Sequence, residues 1–125
     1  FVNRTAVRAE AAAAALRNGR TLPWEALEEG FAEADLIVQA TSLGLAGAEA
    51  PQWPVARCRD TAIVADIVYR PLETQLLRAA RARGLTAIDG LGMLIHQGAR
   101  AFELWFGVTP SAAKARARLE AALSP

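Results

Sequence analysis

Three short apolar runs constrain this chain more than any other feature. They are Leu36–Ala40, Thr61–Val68 and Thr86–Ile88, and each is too short and too rich in β-branched residues to read as a helix. Each therefore predicts a buried strand of the kind found in parallel sheets. The connections between them are long enough to carry the chain back for a same-direction return. Together they predict an α/β fold, a mainly parallel sheet with helices on both faces.

The intervening segments carry helix signals. Thr5 is placed to cap a helix running to about Arg17, which alanine favours and Asn18-Gly19 ends. Arg20-Thr21-Leu22 is extended ahead of Pro23, which opens a helix from Trp24 to Ala34. Residues 44–54 read as a loop. Pro71 opens an amphipathic helix to about Arg83, closed by Gly84, and two further helices follow at Met93–Phe106 and Ser111–Leu123. The whole of 1–125 is one domain, with sheet and helices in 1–108 and a C-terminal helix in 109–125. Trp24, Trp53 and Trp105 are expected to pack and not to bind.

Composition excludes several classes. A net charge of +1, with arginines spread along helices, argues against a nucleic-acid partner. No apolar run approaches the ~20 residues of a membrane span. The single cysteine, Cys58, has no internal disulfide partner and no neighbouring histidine, so it reads as a bystander thiol in a reducing, cytoplasmic setting. No metal-ligand cluster is visible. The chain starts without methionine, and Phe1-Val2-Asn3 reads as the end of a strand already under way, which predicts a fragment.

In an open parallel sheet, ligands bind beyond the carboxyl ends of the strands. Four segments fall there: Asn3-Arg4-Thr5, Ala40-Thr41-Ser42, Asp66 to Tyr69, and Asp89-Gly90. In a dinucleotide-binding fold, an acidic residue at the first place would bond the adenosine ribose. Arg4 and Arg8 stand there instead, and guanidinium groups suit a 2′-phosphate, although both also read as surface residues of a helix start. Ala40, Thr41 and Ser42 form a small-residue turn that lets backbone approach a ligand, or a plain strand-to-loop turn. Tyr69 would stand at the pocket mouth, and Met93 offers a soft surface for a planar ring. Gln97, one turn later, either holds a substrate group or faces solvent. Asp66 reads as a strand-end residue bonded to nearby backbone more readily than as a catalytic acid. His96 lacks a partner carboxylate at useful spacing.

The run NRT with Arg8, the turn QATSLGL, the segment ADIVYRPLETQLL and the helix DGLGMLIHQGARAFELWFG together resemble the shikimate dehydrogenase family, in its order and over Val2 to about Pro110. The resemblance implies a Rossmann-like NADP-binding domain. It places Asn3, Arg4, Thr5 and Arg8 around the 2′-phosphate and Ala40, Thr41 and Ser42 along the cofactor. It places Ile67, Gly90 and Met93 at the nicotinamide, and Tyr69 and Gln97 at the substrate, shikimate or 3-dehydroshikimate. It also implies that the family's first strand, its glycine-rich turn and its N-terminal substrate domain, with the catalytic lysine and aspartate, lie outside this sequence. No catalytic residue is then expected within it, and the 125 residues alone should be inert and unstable. Gln39 stands where the family usually has asparagine. A quinate or dual-specificity dehydrogenase using NAD, a degenerate non-catalytic module, and a homodimer all remain open at this point.

Overall fold

The computed structural model describes residues 1–123. Its sheet has three strands, β1 (Leu36–Gln39), β2 (Ile63–Asp66) and β3 (Thr86–Ile88), in the order β1-β2-β3. Both pairings are parallel, with Leu36 opposite Ile63 and Ile63 opposite Thr86. The α/β class read from the three apolar runs is the one the chain adopts. The first two strands are shorter than their runs. Beyond Gln39 and Asp66 the backbone leaves the ladder: the Thr41 amide bonds the Gln39 side chain, and the Val68 amide bonds Asp66 Oδ1 at 2.9 Å.

Five helices accompany the sheet: α1 (Ala6–Ala14), α2 (Leu27–Glu33), α3 (Gln75–Ala82), α4 (Gly90–Phe106) and α5 (Ala112–Leu123). Their ends correct the sequence reading in several places. Thr5 holds the cap position of α1 but makes no side-chain capping bond; Asn3 Oδ1 accepts the Thr5 amide instead, at 2.8 Å. The first helix stops at Ala14, not Arg17, because the chain folds back so tightly that a Cβ on Gly19 would lie 2.0 Å from the Ala13 carbonyl oxygen. Trp24–Ala26 is a 3-10 turn, and the α-helix begins only at Leu27. Pro71 does not open α3; Thr74 caps it, its Oγ1 accepting the Leu77 amide at 3.3 Å. The fourth helix starts at Gly90, ahead of Met93, because Asp89 Oδ1 accepts the Leu91 and Gly92 amides at 3.1 and 3.2 Å. Of the segment assigned to the C-terminal helix, residues 124 and 125 lie outside the described residues.

The core lies on one face of the sheet. Val64 of β2 meets Phe31 of α2, Leu76 and Ala80 of α3, and Val55, Ala62 and Leu85 from the connections. Burying a Val, Leu or Phe side chain of this kind contributes roughly 1.5–3 kcal/mol each. Trp53 stacks on Phe31 with ring centroids 6.2 Å apart, as expected of a packing residue. Cys58 is buried in the same core. Arg83 closes its rim, donating to the carbonyls of Val55 and Cys58 at 2.9 and 2.6 Å. Helical cover is dense on this face. On the other, Leu36, Val38 and Ile88 are each at least half exposed. Trp105 departs from its expected packing role: it is 77% exposed, on the last turns of α4, where no described element covers it.

Candidate active site at the carboxyl ends of the strands

Because β1, β2 and β3 are parallel, the turns after Gln39, Asp66 and Ile88 gather at one edge. The free edge of β1 faces the N-terminal segment across a groove of about 740 Å³. Asn3 and Arg8 line one side of that groove, and Gln39, Ala40 and Thr41 line the other. Arg4, Thr5 and Ser42 lie beside these residues and are exposed. Among the described residues, neither Arg4 nor Arg8 forms an ion pair.

The turns after β1 and β2 are tied together by buried polar side chains. The buried polar residues of the described chain are Gln39, Asp66 and Thr74. All three belong to one network. Gln39 Nε2 donates to the Leu43 carbonyl at 3.0 Å and to Asp66 Oδ1 at 3.3 Å, while its Oε1 accepts the Thr41 amide. Asp66 Oδ1 also accepts the Val68 amide, and Oδ2 accepts the Thr74 hydroxyl at 2.8 Å. Burial pushes the Asp66 carboxyl up from its ordinary value, against the Val68 and Thr74 hydrogen bonds that draw it down. The expectation that Asp66 is a strand-end residue bonded to nearby backbone is met, with two side chains added. A further backbone bond, from the Ala46 amide to the Arg70 carbonyl at 2.7 Å, joins the same two loops.

The third turn locks onto the second. A Cβ on Gly90 would stand 2.2 Å from the Ile67 carbonyl oxygen and 2.9 Å from the Val68 carbonyl carbon. Only glycine lets the first turn of α4 rest on that backbone. Asp89, which caps the helix, is gripped from α5: Arg116 reaches Oδ1 at 2.8 Å and Oδ2 at 3.2 Å. The Arg116 hydrogen bonds hold the Asp89 carboxyl below the usual aspartate range, against partial desolvation. The same contact raises the Arg116 guanidinium.

Of the residues expected at a site, Asn3, Arg8, Ala40 and Thr41 meet on the groove, and Ile67 meets Gly90. Tyr69 is half-buried on the loop after β2. Met93 and Gln97 stand one turn apart on α4, both exposed, and neither lines the groove. His96 is exposed beside them. Gln39, Thr74 and Arg116 were not singled out as site residues from sequence. The signal for the first two was a strand-terminal amide and carboxylate, with a Thr eight residues after the latter. For Arg116 there was no local signal, since it acts on a residue 27 positions away. Among the described residues no group of three or more His, Cys, Asp or Glu is placed to hold a metal, and no helix is long and apolar enough to cross a membrane.

Comparisons with known proteins return shikimate dehydrogenases together with a quinate dehydrogenase of the same fold. The Shikimate 5′-dehydrogenase C-terminal domain matches residues 90–120. A shikimate dehydrogenase (NADP(+)) of Rhodopseudomonas palustris (strain BisB18) is 49% identical over 128 residues, covering 100% of this chain and 46% of its own length. Two solved structures share the fold. Quinate dehydrogenase from Corynebacterium glutamicum in complex with NAD superposes with a TM-score of 0.84 at 31% identity, over 96% of this chain and 45% of its own. Shikimate 5-dehydrogenase from Thermus thermophilus in complex with NADP(H) and shikimate gives 0.73 at 41% identity, over 90% and 41%. The chain spans a little under half the length of the R. palustris protein. Sequence and fold agree: the chain is similar to a part of the shikimate dehydrogenases, and its residues 90–120 match their C-terminal domain.

Proposed function

We propose that this chain is the NADP-binding part of a shikimate dehydrogenase, which interconverts 3-dehydroshikimate and shikimate. The observation that carries the reading is the groove at the sheet edge, where Asn3 and Arg8 face Ala40 and Thr41 and, among the described residues, no carboxylate pairs with the arginines. The donor set suits a phosphorylated nucleotide: Asn3, Arg4, Thr5 and Arg8 offer guanidinium and amide donors to a 2′-phosphate. NADPH, when bound, supplies the hydride.

The residues of this chain then bind and orient. Ala40, Thr41 and Ser42 present backbone and hydroxyl groups along the nucleotide. Ile67, Gly90 and Met93 flank the nicotinamide end, where the tight Ile67–Gly90 contact leaves little freedom for misalignment. Tyr69 and Gln97 offer polar ends to the substrate hydroxyls. Holding two reactants in register accounts for a large part of the rate enhancement in such a transfer. Proton handling, and the glycine-rich turn that receives the pyrophosphate, are assigned to residues outside these 125, so residues 1–125 act as an incomplete domain. The family's first strand would fill the part of the groove that runs along Leu36, Ile37 and Val38, leaving Asn3, Arg8, Ala40 and Thr41 at its carboxyl end to face the nucleotide. Leu36 and Val38 stand exposed on β1 itself.

The resemblance to a quinate dehydrogenase bound to NAD favours a second reading, in which quinate is the substrate and NAD the cofactor. One assay separates the two. Joined to its substrate-binding half, the chain should support NADPH-dependent reduction of 3-dehydroshikimate, with quinate oxidised far more slowly. Faster turnover of quinate with NAD would establish the second reading, and no turnover of either would refute both.

A further inference from the structure

The buried polar residues Gln39, Asp66 and Thr74 pose a physical question. Burying a carboxylate is costly unless its oxygens are well bonded, and an apolar trio would hold the sheet together without that cost. An apolar trio could not, however, hold the backbone groups that these side chains engage: the amides of Thr41 and Val68 and the carbonyl of Leu43. Those groups belong to the two loops that carry Ala40 to Ser42 and Ile67 to Tyr69.

We propose that Asp66 and Gln39 are positioning residues of this site: their buried contact locks the turn after β1 and the loop after β2 into one frame, with Thr74 holding the far carboxylate oxygen. The proposal rests on the function proposed above, and it adds two residues that act through the backbone of the loops they hold. The geometry has a direction. Gln39 reads the turn on one side through Thr41 and Leu43, and meets Asp66 on the other at 3.3 Å. Asp66 reads the second loop through Val68 and fastens it to the start of α3 through Thr74. Gly90 then transmits the position of Ile67 to the first turn of α4 by backbone contact. All three turns at the sheet edge are registered to one carboxylate. The arginines of the N-terminal segment stand outside this network, so affinity for the phosphate end and alignment at the ring end are separable.

The test uses the whole enzyme with Asp66→Ala, Gln39→Leu and Thr74→Val, rates being expressed per folded active site. Asp66→Ala should lower kcat by roughly tenfold or more while the KM for NADPH stays within about threefold, since each lost hydrogen bond corresponds to up to about a factor of ten. Gln39→Leu and Thr74→Val should give smaller falls in the same parameter, and they keep the test decisive if Asp66→Ala does not fold. Amide exchange supplies a readout independent of turnover. The Thr41 amide, bonded to Gln39 and not to Asp66, should exchange several-fold faster in Asp66→Ala, and the Val68 amide should do so in Gln39→Leu. Unchanged kcat in folded variants, or exchange confined to directly bonded amides, overturns the proposal. A wild-type enzyme that binds no NADPH overturns the functional reading instead, while the exchange arm still reports whether the lock exists.

Discussion

Two glycines of α4 should respond to alanine with opposite signs. Alanine is the better helix former by about 1 kcal/mol in a helix interior, and less in the first turn, so propensity alone favours both Gly90→Ala and Gly98→Ala. A Cβ on Gly98 would have nothing within 4 Å, and that substitution should stabilise by about 0.5–1 kcal/mol. A Cβ on Gly90 would stand 2.2 Å from the Ile67 oxygen and 2.4 Å from its carbonyl carbon, both backbone atoms. Relief requires the helix start or the Ile67 loop to move by roughly 1 Å, and forced repacking of that kind costs about 1–3 kcal/mol, occasionally more. The clash outweighs the propensity gain, so Gly90→Ala should destabilise by about 1–3 kcal/mol. It should also depress turnover, because Ile67 is displaced. Denaturant titration of the two variants in the whole enzyme measures both signs. Stabilisation of Gly90→Ala, or equal effects at the two positions, would refute the argument that close approach of backbone requires glycine at position 90.

Other consequences are more local. The Asp89–Arg116 contact stabilises the folded state above the ordinary aspartate range, where Asp89 is ionised, and is lost as pH falls through its depressed folded value. Because both side chains are partly exposed, Arg116→Ala should cost only about 1 kcal/mol at neutral pH and should flatten the acid limb of a stability–pH curve; an unchanged acid limb would contradict this. Asp66 has the opposite sign: its raised value means that ionisation weakens the fold, so the penalty is absent below the unfolded value and grows as pH rises through the folded one. Cys58 is buried and its thiol is pushed up by desolvation, so native protein at mildly alkaline pH should alkylate far more slowly than unfolded protein. Equal rates would show that the core opens around it.

The sequence disclosed the strands better than the helix ends. Run length and β-branching located β1, β2 and β3, because those signals arise from burial itself. Helix starts were misplaced where a side chain intervened. Pro71 looks like a first-turn residue, yet the cap belongs to Thr74, whose hydroxyl serves both Leu77 and Asp66. Asp89-Gly90 looks like a strand-closing turn, yet the Asp89 carboxylate takes two amides and starts α4 there. The site was legible only as local segments. That Asn3 and Arg8 face Ala40 and Thr41 across one groove depends on the fold, as does the link from Gln39 to Asp66. Trp105 shows the converse: a large apolar residue predicts packing, but burial depends on having something to pack against.

The central claim is that the arginines of the N-terminal segment select a 2′-phosphorylated nucleotide. Its most direct test is calorimetric titration of the enzyme with NADPH and NADH, repeated with Arg4→Ala and Arg8→Ala. Loss of one charge-assisted contact is worth roughly 1.5–3 kcal/mol, which is about ten- to a hundredfold in affinity. The account predicts NADPH preference in the parent, weakened by about that factor in each variant, with NADH affinity nearly unchanged. Equal binding of the two nucleotides in the parent, or variants that lose both alike, would contradict it.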